Sequence, residues 1–161
     1  MSGVSLMLLL FLFISNCASG DKIFSTDVWN ITYDDQQGGI ALTYKSKNIC
    51  NGMYASYQWE GKEIKTSDYA RHKISTGKVS DSFGKGHIYK VEYTDKELPK
   101  LTQYFYLYPG KEYILTDFTV EAKEEIRSGR MAPVNVDSIS GFLQAGDNRA
   151  LFVPFDNDKW I

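Results

Sequence analysis

Cysteine is nearly absent. Only Cys17 and Cys50 occur in 161 residues, which excludes a disulfide-stapled scaffold and leaves the core to stabilise itself. An excess of either charge is missing too: 18 Lys and Arg stand against 20 Asp and Glu, a formal net charge of -2. Neither nucleic acid nor an anionic membrane surface is therefore an expected partner. There is no Gly-rich phosphate loop, no G-x-S-x-G elbow, no H-E-x-x-H and no C-x-x-C, so the commonest nucleotide, hydrolase, zinc and redox signatures are out. Histidine is limited to His72 and His87, neither in a carboxylate-rich neighbourhood. Both read as exposed strand or turn residues, and neither a metal nor a cofactor is called for.

A long hydrophobic run is also lacking. Val4 to Ile14 is apolar except for Ser5, well short of the roughly 20 residues a membrane-spanning helix needs but suited to the apolar region of an export signal. Residues 1–20 are set aside on that basis, and 21–161 are expected to be one domain. Two processing routes fit "SNCASG": cleavage after Ala18 or Gly20, or a lipoprotein route in which Cys17 becomes the lipidated N-terminus. Asn16 stands where that second route usually has Gly, Ala or Ser, and no Lys or Arg precedes the apolar run. The expected location is exported: periplasmic, anchored at the outer membrane through a lipid, or secreted. Cys50 is then left without a partner.

What the chain does have is aromatic side chains, 11 Tyr, 9 Phe and 3 Trp, which suit half-buried sheets and also stacking on sugar rings. From Lys22 onward hydrophobicity alternates with period two and no helical stripe is sustained. Ile40, Leu42 and Tyr44 fall on one face, with Thr43, Lys45 and Lys47 on the other. Tyr54 to Trp59 predicts a strand entering a hairpin at Glu60 to Glu63. The strongest pattern is "KLTQYFYLYPGKEYILTDFTVEAKEE". Leu101, Gln103, Phe105 and Leu107 alternate with Thr102, Tyr104, Tyr106 and Tyr108, Pro109-Gly110 supplies the turn, and Ile114, Phe118 and Val120 mark the buried face of the return. Tyr89, Val91 and Tyr93 are in phase before it, preceded by a glycine-rich turn at "SFGKGH". "AKEEIRSGR" predicts an exposed turn, and a last strand is expected from about Val134 to Phe142. The fold class is all-β, an antiparallel sandwich.

Few motifs carry chemistry. Asn30-Ile31-Thr32 is a glycosylation sequon, meaningful only in a eukaryotic source. Asp34-Asp35 and Glu124-Glu125 are sequence neighbours, whereas a hydrolytic carboxylate pair faces its bond from separate elements about 5–10 Å apart; they read as solvated charge. "DNDK" at 156–159 imitates the start of a calcium loop but lacks its glycine and its distant glutamate. The surrounding "FVPFDNDKW" suits carbohydrate: Asp156, Asn157 and Asp158 can exchange hydrogen bonds with ring hydroxyls, and Trp160 can stack on an apolar sugar face. The alternative is a turn with Trp160 in the core.

An exported, strand-rich chain carrying "GDNRALFVPFDNDKW" resembles the leading β-supersandwich, of galactose-mutarotase type, of bacterial glycoside hydrolases of the α-galactosidase and raffinose-synthase type (glycoside hydrolase family 36). The resemblance implies a (β/α)₈ barrel of the same chain that holds the two catalytic aspartates. It implies no catalytic residue within 1–161, an α-galactoside-like oligosaccharide as partner of the full-length protein, and substrate contact for Asp156, Asn157, Asp158 and Trp160. It also implies a sandwich incomplete at its C-terminus. The alternative is a stand-alone carbohydrate- or surface-binding β-sandwich with its ligand on an aromatic face.

Overall fold

A computed structural model describes residues 22–34 and 38–136. They form two antiparallel sheets and no α-helix. The first sheet holds β1 (Lys22–Ser25), β2 (Trp29–Tyr33), β3 (Ile40–Tyr44), β4 (Lys47–Trp59), β5 (Lys62–Lys65) and β10 (Met131–Asn135). Its order is β1-β2-β3-β4-β10, with β5 also paired to β4. The second holds β6 (Arg71–Asp81), β7 (Gly84–Thr94), β8 (Lys100–Leu107) and β9 (Ile114–Glu121), in sequence order. The sandwich expected from period-two alternation is therefore present. No helix among the described residues is long and apolar enough to cross a membrane.

Turn chemistry explains the connections. Lys45 and Ser46 both have positive φ, 45° and 64°, and so do Glu60 and Gly61, at 49° and 75°; this left-handed pair suits the twist of a two-residue hairpin. Lys45, expected on the polar face of a strand, instead occupies that turn. At the β8–β9 connection Pro109 is followed by Gly110 with φ 71°, and Lys111 N donates to Tyr108 O at 3.1 Å, as a proline-glycine type II turn requires. The "SFGKGH" turn is only Ser82-Phe83, because β7 already begins at Gly84. The strand expected from Val134 starts earlier, at Met131, and its continuation past 136 lies outside the described residues. Residues 122–130 form the irregular, mostly exposed connection the sequence suggests.

The core lies between the sheets. Ile31, Tyr33, Ile40, Met53 and Tyr57 from one side meet Val91, Tyr93, Leu101, Phe105 and Leu107 from the other. Each such side chain removed from water contributes about 1.5–3 kcal/mol before entropy is counted. Gln103 is fully buried in this apolar layer, and its polar atoms are engaged. Its Oε1 accepts from Tyr93 Oη at 3.3 Å, and its Nε2 donates to Pro133 O at 2.9 Å, tying β8 to β10. Cys50 is buried and unbridged, as its isolation in the sequence implies.

Candidate functional site

The residues singled out from the sequence for sugar contact, Asp156, Asn157, Asp158 and Trp160, lie outside the described residues, as does Cys17. Within them, two histidines part company. His87 is exposed, as expected. His72 corrects its expectation: it is only partly exposed, its ring lies edge-on to Tyr33 and Tyr93 at 6.0 and 5.3 Å, and Nε2 sits 3.0 Å from Tyr69 O. The cause is packing, since β6 presents alternate residues to the core and His72 is in register with the buried Tyr93. Asn30 sits mid-strand between β1 and β3, and Glu124 and Glu125 are exposed. Among the described residues no group of three or more His, Cys, Asp or Glu is arranged to hold a metal.

The feature with binding chemistry is the outward face of the second sheet. Because β8 sends Leu101, Gln103, Phe105 and Leu107 inward, its tyrosines point out. Register places Ile88, Tyr106 and Leu115 in one row across the sheet, and Lys90, Tyr104 and Asp117 in the next. Tyr104 and Tyr106 lie with ring centroids 6.4 Å apart and planes inclined by 23°. Tyr108 follows in the alternation but is itself buried, 2% exposed, with Phe83 and Tyr113 beside it at 6.1 and 6.2 Å. Phe83 and Tyr113 are 51% and 38% exposed, so the line ends in open aromatic surface. From Tyr104 to Tyr108 it covers about 13 Å of strand, at roughly 3.3 Å per residue.

Gly86 makes this possible. A Cβ there would stand 2.5 Å from Leu107 O and 2.8 Å from Tyr108 Cδ1, so only glycine lets the Tyr108 ring come down onto the sheet. Tyr108 Oη then donates to Asp81 Oδ2 at 2.6 Å, while Asp81 Oδ1 accepts from Phe83 N at 2.8 Å. The Tyr108 hydroxyl, opposed by slight desolvation and helped by backbone donors, holds the Asp81 carboxyl below the ordinary carboxylate range. Tyr108 itself is pushed up to about 12, by desolvation first and then by Asp81. An ionised, oriented carboxylate thus stands at the end of the aromatic line. The turn carrying Tyr113 is braced against the other sheet, with Gly110 N donating to Asp27 Oδ1 at 3.0 Å and Lys45 paired with Glu112.

Such a face offers flat rings for stacking and, in the Tyr108–Asp81 pair, fixed polar groups for orientation. Tyr104, Tyr106 and Tyr108 are legible in the sequence as the outward set of an alternating strand. Phe83, Asp81 and Tyr113 are not, because they arrive from two different turns. Compared with known protein families, curated proteins and solved structures, the chain matches none.

Proposed function

We propose that this chain is a non-catalytic, carbohydrate-contacting β-sandwich, the sandwich portion of an exported glycoside hydrolase acting on α-galactosides. Its role is structural and substrate-lining, with bond cleavage left to a barrel domain. The observation that carries the carbohydrate part is the tyrosine line of β8 with Asp81 fixed at its end. Aromatic faces stack on the C–H faces of pyranose rings, and an ionised carboxylate accepts hydrogen bonds from vicinal hydroxyls, each such charge-assisted bond contributing about 1.5–3 kcal/mol. The glycoside hydrolase part rests on the resemblance of "GDNRALFVPFDNDKW".

Affinity electrophoresis in gels containing galactomannan, which bears α-galactosyl branches, tests the binding. Retardation of the chain, lost in the Tyr104→Ala/Tyr106→Ala double variant, is expected, together with no release of nitrophenol from an aryl α-galactoside. Migration unaffected by galactomannan and by other neutral polysaccharides would sink the proposal. The same face suits a stand-alone carbohydrate-binding module. Sequencing the transcript beyond the Ile161 codon separates the two: a barrel-encoding frame supports the enzyme, and unrelated sequence after a stop supports the module.

A further inference from the structure

We infer that the chain has a second ligand site, distinct from the tyrosine line and built for a single neutral pyranose, in the groove at the opposite end of the second sheet. The inference takes from the proposed function only that sugars are the ligand class. Three stretches far apart in sequence make the groove: Trp59 at the end of β4, residues 95–100 running from the β7–β8 loop into β8, and residues 121–124 leaving β9. Its volume is about 450 Å³, inside the roughly 300–1,000 Å³ range of small-molecule sites and suited to a compact ligand.

Each wall contributes something a sugar needs. Trp59 is half-buried, its indole partly packed on the core, so its ring is held in place while part of it stays open for stacking. Asp95 is tethered, its Oδ1 accepting from Glu97 N at 3.0 Å. That bond, with further backbone donors from Ala70 and Lys96, keeps its carboxyl below the ordinary range. The loop itself is anchored from beneath. Tyr69 Oη donates to Pro99 O at 2.7 Å and stands 3.1 Å from Tyr57 Oη, all inside the core. An acceptor fixed before the ligand arrives spares the cost of ordering it on binding.

Charge selects the ligand class. Lys96, Lys100 and Lys123 face four carboxylates along the lining, and Lys100 is already shared by Glu92 and Glu121 at 3.2 and 3.4 Å. A phosphate or sulfate meets more negative than positive charge there, and a cation must share those carboxylates with Lys96, Lys100 and Lys123. A neutral polyol, donor and acceptor at once, can use both kinds of group.

The test is a tryptophan-emission titration of the full chain with methyl α-galactoside and methyl α-glucoside, using glucose 6-phosphate as the charged comparator. A saturable change with at least one neutral glycoside in the millimolar range is expected, with weaker response to the phosphate. Asp95→Asn should raise the midpoint about tenfold, and Trp59→Phe should silence the emission change while calorimetry shows severalfold weaker binding. The Tyr104→Ala/Tyr106→Ala variant should leave the midpoint unmoved. No response to either glycoside, a midpoint indifferent to Asp95→Asn, or tighter binding of the phosphate overturns the inference. If the groove responds while galactomannan binding is absent, the tyrosine line fails and the groove stands; if galactomannan retards the chain while the groove stays silent, the groove fails and the tyrosine line stands.

Discussion

The two ends of the second sheet reach a similar chemistry by different routes. The tyrosine line is almost the work of one strand: β8 alternates, its inward residues are 0–2% exposed, and its outward tyrosines follow from the pleat. The Trp59 groove is assembled from three segments that meet only because the two sheets close on each other. A surface written along one strand tolerates changes elsewhere in the fold, whereas a surface assembled at a junction depends on everything that holds the junction shut.

That contrast can be broken most forcefully from the core they share. Phe105→Ala should cost about 4 kcal/mol, as large-to-small changes at fully packed aromatics do, and should abolish ligand responses at both ends together; chemical denaturation followed by binding at each end checks it. Gly86→Ala should cost about 2 kcal/mol through overpacking against the backbone. Its damage should stay local, weakening galactomannan binding while the emission response of the groove survives. The Tyr104→Ala/Tyr106→Ala variant sharpens the comparison further. Affinity for galactomannan should fall about tenfold or more, the loss of one 1.4 kcal/mol step, with the melting temperature changed by only a few degrees because both rings lie on the outer face.

The smallest effect concerns pH. Asp81 has a depressed pKa in the folded chain, so its contribution to stability is present above the ordinary carboxylate value near 4 and is lost as pH falls below it. Tyr108 is shifted the other way. Its contribution is full below the ordinary tyrosine value near 10 and disappears as pH rises through about 12. Tyr108→Phe should flatten both limbs of a melting-temperature profile, and should leave the groove's pH response untouched. An unaltered acid limb would mean that Asp81 is held by the backbone amides of Asp81, Phe83 and Gly84 alone.

What is legible in the sequence follows the same division. Tyr89, Val91 and Tyr93, the β8 alternation and the Pro109-Gly110 turn are local patterns, and local physics writes them into adjacent residues. Lys45-Ser46 escapes because neither residue is the glycine that ordinarily announces positive φ. His72 escapes because its burial is decided by cross-strand register with Tyr93, which no short window on the sequence contains. Trp59 and Asp95 lie 36 residues apart in number, and only the closing of the sandwich makes them neighbours. The terminal motif that suggests sugar contact, Asp156 to Trp160, lies beyond the described residues, so the structural case for carbohydrate stands on different side chains.

The bond from Tyr69 to Pro99 has a kinetic meaning. Surface loops ordinarily open on their own, at a free energy far below that of the whole domain. The loop after β7 is fastened at one end by the buried Tyr69 hydroxyl and within by the Asp95 carboxylate, so lifting the whole loop breaks a hydrogen bond inside the core. In a hydrogen-exchange experiment the Glu97 amide should therefore exchange more slowly than those of 122–130, making a loop at the rim report on the stability of the interior.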